Sequence, residues 1–156
     1  DSSSGWYNGG MTDFDREVRT SSREETIELA KKAAEECHVP AVICLYGELG
    51  GGKTTFVQGF AKGLGITTRL LSPTFIIVRR YQIPHSQGFL YHLDLYRVEE
   101  REVQELPISD MLSDPDSFVV IEWAEKLGRW LPGSRQDIKF SVLPNGNHEI
   151  KYQKSY

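Results

Sequence analysis

The chain has 156 residues, with 18 Lys and Arg against 22 Asp and Glu, giving a formal net charge of −4. That balance excludes a stand-alone nucleic-acid binder, which needs a basic footprint to neutralise phosphates, and the length excludes two large domains. With 39% hydrophobic and 26% charged residues the composition is that of an ordinary globular domain. No apolar run of about 18 residues and no signal-like amino terminus occur, so we expect a cytoplasmic protein without a membrane partner.

Residues 1–12, beginning DSSSGWYNGG, carry no periodicity and read as a flexible leader or tag-like arm, leaving 13–156 as one domain. Ser22 followed by Glu25 gives an S-x-x-E capping pattern. Ile27, Leu29, Ala30, Ala33, Ala34 and Cys37 then recur at helical spacing, which predicts a helix ending before Pro40. Residues 41–46 (AVICLY) form a short apolar run between Pro40 and Gly47, the pattern of a buried strand. After a glycine-rich stretch, residues 54–64 predict a helix in which Gly59 and Gly63 are expected to allow close packing on a sheet. Residues 75–81 and 89–96 read as strands, and 99–106 as a short helix stopped by Pro107. Residues 118–122 (FVVIE) read as another buried strand, and 138–143 with 148–154 as a hairpin turned by Pro144-Asn145-Gly146-Asn147. Cys37 and Cys44 are spaced for neither metal nor disulfide and read as small hydrophobes. Strands interleaved with helices predict an α/β fold: a P-loop NTPase-like three-layer domain with a mainly parallel central sheet and an antiparallel C-terminal hairpin.

The strongest motif is Gly47-Glu48-Leu49-Gly50-Gly51-Gly52-Lys53-Thr54, a match to G-x-x-x-x-G-K-[ST] whose chance probability in such a chain is on the order of 1%. It lies between a buried strand and a helix, where the chemistry needs it. Glycines let consecutive N–H groups face one anion, and the helix N-terminus adds positive potential. Lys53 would bridge the terminal phosphates of a nucleotide and the Thr54 hydroxyl would ligate Mg²⁺, with Thr55 in the same first turn. A second metal-side acid is expected at the end of a neighbouring strand. Asp94, after FLYHL, and Glu122, after FVVI, both qualify. His92 shares a strand face with Asp94 and reads first as a hydrogen-bonded structural histidine, with a general base as the alternative. Ser72-Pro73-Thr74 precedes a strand, where a hydroxyl can read a γ-phosphate or a proline can simply turn the chain. Trp123 suits stacking on a base or filling the core, and Trp130 the core or a partner surface. No N-K-x-D or T-K-x-D sequence occurs, which favours ATP over GTP.

Four segments in this order and at these separations, GELGGGKTTF (47–56), SPTF (72–75), HLDLYR (92–97) and IEWAEKL (121–127), resemble the TsaE (YjeE) family over roughly residues 20–143. The resemblance implies an ATPase subunit of the bacterial machinery that places a threonylcarbamoyl group on an adenosine beside the tRNA anticodon. It implies ATP and Mg²⁺ as cofactors, TsaD and TsaB as partner subunits, and tRNA met indirectly through that complex, with ATP driving a conformational reset. Carried onto this chain, it makes Lys53 a phosphate ligand, Thr54, Asp94 and Glu122 metal-side groups, and Thr74 part of a switch-like segment. It also places Trp123 near the nucleotide and Thr20 and Ser21 towards the adenine. Leu106-Pro107-Ile108 departs from the family, which commonly shows glycine there, as does Gly51, where alanine is frequent. The competing functions are a P-loop small-molecule kinase, whose phosphate-facing arginines would come from Arg79, Arg80, Arg97 or Arg101, and a module that binds ATP without turning it over.

Overall fold

The computed structural model describes residues 16–48, 50–70 and 77–155. The leader assigned to 1–12, Leu49, and the Ser72-Pro73-Thr74 segment with Thr74 itself lie outside the described residues. Among the described residues seven strands form a single sheet: β1 (Arg16–Thr20), β2 (Ala41–Tyr46), β3 (Val78–Gln82), β4 (Phe89–Asp94), β5 (Phe118–Glu122), β6 (Arg135–Val142) and β7 (His148–Ser155). Their order is β1-β7-β6-β2-β5-β4-β3. The four inner strands β6, β2, β5 and β4 run parallel. Both margins are antiparallel, through β3 on β4 at one side and through β7 and β1 at the other. The short apolar runs of β2 and β5 take the inner places because both of their faces are covered. Every residue of β5 is buried.

Alternation along these strands feeds two cores. Ile43, Leu45, Leu90, Phe118, Val120, Ile138 and Phe140 face α1 (Arg23–Glu36) and α2 (Lys53–Gly63). Cys44, Leu93, Val119 and Ile121 face the other way, onto Val103 of a 3-10 helix (Glu100–Glu105), Met111 of α3 (Ile108–Leu112) and Leu127 of a 3-10 segment (Ala124–Trp130) that is broken at the non-helical Gly128. Cys44 is free and packed in the second core, where burial pushes its thiol up to about 12, so it behaves as the small hydrophobe expected.

Several expectations change in detail. β1 was not legible: three of the five residues of REVRT are charged and it alternates at an edge, with no apolar run to announce it. α3 follows Pro107 directly, because a proline at a helix start loses no hydrogen bond, so the proline stops one helix and begins another. The capping pattern of α1 is also shifted. Ser22 Oγ accepts from Glu25 N at 3.1 Å, but the Glu25 carboxylate accepts from Ser21 N and Oγ rather than from Ser22.

Gly59 and Gly63 serve α1, not the sheet. A Cβ on Gly59 would lie 2.5 Å from Ile27 O and one on Gly63 2.4 Å from Lys31 O, so two helix backbones meet there. Gly59→Ala is therefore expected to lower stability by about 1–3 kcal/mol through overpacking, despite alanine's roughly 1 kcal/mol advantage in a helix. Urea denaturation with an unchanged slope is the measurement, and a more stable variant would contradict this packing.

Candidate functional site

Parallel strands share one carboxyl edge, and that edge carries Tyr46, Asp94 and Glu122. Asp94 is in register with Glu122, which is in register with Leu45 of β2 on its other side. Tyr46 donates its hydroxyl to Asp137 Oδ1 at 2.9 Å, tying the end of β2 to β6 just before the chain leaves the sheet. At Gly47 the backbone has φ +131, and a Cβ would lie 2.3 Å from Phe140 O. Only glycine can leave the strand by that route. The loop closes at Gly52, with φ 102, which begins α2 without a side-chain cap. The first N–H groups of an eleven-residue helix are thus left available to an anion.

Lys53 is buried, and its ammonium donates to the carbonyls of Gly47 and Glu48, the latter at 2.9 Å. It also lies 4.5 Å from the centroid of the Trp123 ring. Burial pulls its pKa down, while the surrounding carboxylates of Glu122, Glu125, Asp94 and Glu48 pull it up. The Thr54 hydroxyl donates to Glu122, 3.1 Å from Oε1 and 3.3 Å from Oε2. Glu122 is 2% exposed, and its Oε2 is also 2.6 Å from His92 Nε2. The Asp94 carboxyl is pushed above its usual value by burial and by Glu122, against the hydrogen bond that its Oδ1 accepts from Tyr96 N at 3.0 Å.

Trp123 follows Glu122 with φ 59, a left-handed conformation that costs a non-glycine residue about 1–2 kcal/mol. That turn lays its ring against Tyr96, with centroids 5.0 Å apart, and beneath the Lys53 ammonium. Thr20 and Ser21 stand at the same end of the sheet by a longer route. Thr20 pairs with His148 of β7, whose Nδ1 lies 3.3 Å from where a Gly52 Cβ would be. Their hydroxyls are engaged locally, Thr20 with Thr26 at 2.8 Å and Ser21 with Glu25 at 3.0 Å. Thr55 lies in the first turn of α2. Trp130 is 48% exposed with Arg129 over its ring, which leaves it on the surface and out of the core.

The arrangement gathers one ammonium, a hydroxyl, two carboxylates and a helix N-terminus around a glycine-rich loop. Sequence reasoning missed His148 and Glu125. The first reaches the loop from a distant strand, and the second depends on the backbone turn at Trp123; neither carries a local signal.

A single mixed sheet with helices and a glycine-rich strand-to-helix loop at its carboxyl edge defines a class of α/β protein. The family model described as "Threonylcarbamoyl adenosine biosynthesis protein TsaE" matches residues 20–150. The chain is 38% identical over 136 residues to the tRNA threonylcarbamoyladenosine biosynthesis protein TsaE of Bacillus subtilis, covering 86% of this chain and 82% of the relative. It is 41% identical over 113 residues to the protein of that name from Nostoc, covering 69% and 67%. The fold is similar to the crystal structure of YdiB from Bacillus subtilis, with a TM-score of 0.77 at 32% identity over 90% of this chain and 86% of the other. The chain belongs to the TsaE family, whose members carry the name of tRNA threonylcarbamoyladenosine biosynthesis.

Proposed function

We propose that this protein is a Mg²⁺-dependent ATPase that serves the threonylcarbamoyl modification of tRNA, slow alone and accelerated by TsaD and TsaB. The observation that carries the reading is the meeting of Lys53, Thr54 and Glu122 where the loop of residues 47–54 enters α2. Lys53, folded onto loop carbonyls, has the reach to exchange them for phosphate oxygens, and the N–H groups of the loop and the first turn of α2 would hold the remaining phosphates.

The oxygen donors fit a hard divalent cation. Thr54 and Glu122 already touch, and Asp94 stands in register beside Glu122. Among the described residues no group of three or more His, Cys, Asp or Glu is placed to hold a metal ion alone. Mg²⁺ prefers one or two carboxylates with water and phosphate oxygens, so this sparse set suits it. When bound with ATP it would neutralise charge on the transferring phosphoryl group.

Slow turnover alone follows from charge. Lys53 faces Glu122, Glu125, Asp94 and Glu48, so a polyphosphate enters a surrounding with excess negative charge. A cation delivered by a partner to the transition state is worth roughly 10³ to 10⁵ in rate in related chemistry. The net charge of −4 likewise favours tRNA contact made through partner subunits. The test is ATP hydrolysis with and without TsaB and TsaD. Stimulation of at least about tenfold is expected, and fast turnover alone with no stimulation would reject the reading.

A further inference from the structure

His92 lies on β4 opposite Val120 of β5, on the sheet face that carries Leu90 and Asp94, and is 1% exposed. Its Nε2 is 2.6 Å from Glu122 Oε2, while its Nδ1 is buried without a hydrogen-bond partner among the described residues. A buried polar atom without a partner is unfavourable, so packing alone does not favour histidine here. The bond to Glu122 is what distinguishes histidine at this position. Because a carboxylate accepts, Nε2 must carry the proton, whatever the state of Nδ1.

The last torsion of a glutamate is broad and roughly two-fold, so burial alone does not orient its oxygens. Thr54, the other donor to Glu122, stands in the first turn after the glycine-rich loop, where phosphate would enter. His92 is anchored in the interior of the sheet. A link running His92, Glu122, Thr54 therefore has one fixed end and one end at the ligand.

The geometry points to His92 as a positioning residue: its Nε2–H holds Glu122 Oε2 so that the carboxylate keeps one orientation towards Thr54 and the cation. The inference rests on the Mg²⁺-dependent reading of the site and deepens it.

The experiment titrates Mg²⁺ into the protein with a fluorescent ATP analogue and reads nucleotide binding, with a parallel titration in EDTA. Glutamine places an amide N–H where histidine has Nε2, whereas asparagine reaches only to Nδ1. His92→Asn is expected to raise the half-saturating Mg²⁺ by about 10–100-fold, and His92→Gln to stay within about threefold, with binding in EDTA unchanged for both. In a Glu122→Ala background, which has no acceptor for Nε2–H, His92→Asn should add no further shift, since the effect travels through the Glu122 carboxylate. Thermal melting of each variant without nucleotide separates loss of fold from loss of position. A wild-type Mg²⁺ midpoint in His92→Asn, an equal shift in both variants, or a further shift in the Glu122→Ala background overturns the positioning role while leaving the ATPase reading intact. A wild-type chain that binds nucleotide without regard to Mg²⁺ overturns both.

Discussion

A Lys53→Ala chain is expected to fold and to bind ATP about 10- to 100-fold more weakly, the range that corresponds to losing a charge-assisted hydrogen bond of about 1.5–3 kcal/mol. Hydrolysis should fall further, because the same ammonium meets charge that develops on the phosphoryl oxygens. The fold should survive because Lys53 stands at the start of α2, outside both cores. Two opposing changes accompany its loss. The carbonyls of Gly47 and Glu48 lose a donor, while the helix start no longer holds a buried ammonium whose pKa is pulled down by burial. Arginine should not rescue binding. A compact ammonium fits between two loop carbonyls and the Trp123 ring, and a planar guanidinium does not reproduce that point charge. Calorimetric titration with ATP, alongside circular dichroism melting, reads both effects. Unchanged affinity in a folded Lys53→Ala chain would remove the phosphate role from this loop.

What could be read from sequence follows how local each signal is. The run AVICLY and the run FVVIE announce strands because the inner strands of a parallel sheet are covered on both faces, and the structure places both there. The loop of residues 47–54 was legible because its glycines answer a backbone requirement, met at Gly47 and Gly52 by positive φ. Asp94 and Glu122 could be named as strand-end acids, but nothing local says that they are register partners. That follows from β4 lying beside β5, a matter of sheet order.

The same limit explains the errors. Gly59 and Gly63 mark close approach of a neighbour, but a glycine does not say which neighbour, and α1 took the place expected of the sheet. Among the described strands β1 pairs only with β7, so its sequence, with three of five residues charged, needs no continuous apolar run. Strand alternation puts His92 on the face of Asp94 and says no more of its role than that of a structural histidine. Its meaning changes only when Glu122 of the adjacent strand is seen 2.6 Å away. Trp123 near Lys53 depends on a left-handed turn at a non-glycine residue, which propensity argues against.

Glu122→Gln is expected to lower Mg²⁺-dependent ATP turnover by about 100-fold or more, the consequence of losing several kcal/mol of metal-assisted charge stabilisation. Binding of ATP in EDTA should not weaken, because Lys53 and the loop N–H groups would carry it and one of the carboxylates acting on Lys53 loses its charge. Glutamine keeps the shape of the site. Its carbonyl can accept from His92 Nε2–H, and its amide can donate to Thr54 Oγ1, reversing the sense of that hydrogen bond. The unliganded fold should therefore be retained, and Asp94 is relieved of a like charge at the adjacent register position.

The relief has a sign that can be measured. Burial and Glu122 raise the Asp94 pKa in the folded chain, so Asp94 favours the fold fully below its unfolded value near 3.8, and this contribution is lost as pH rises through the raised value. Removing the charge of Glu122 brings the folded pKa of Asp94 back towards 3.8 and reduces that contribution. The stability advantage of Glu122→Gln over the wild type should accordingly be larger at neutral pH than in acid. Rapid-mix turnover with and without Mg²⁺, and melting followed between pH 4 and 7, test the two halves separately. A Glu122→Gln chain with full Mg²⁺-dependent turnover removes the metal-side assignment. A melting difference that grows towards acid instead contradicts the coupling between the two carboxylates.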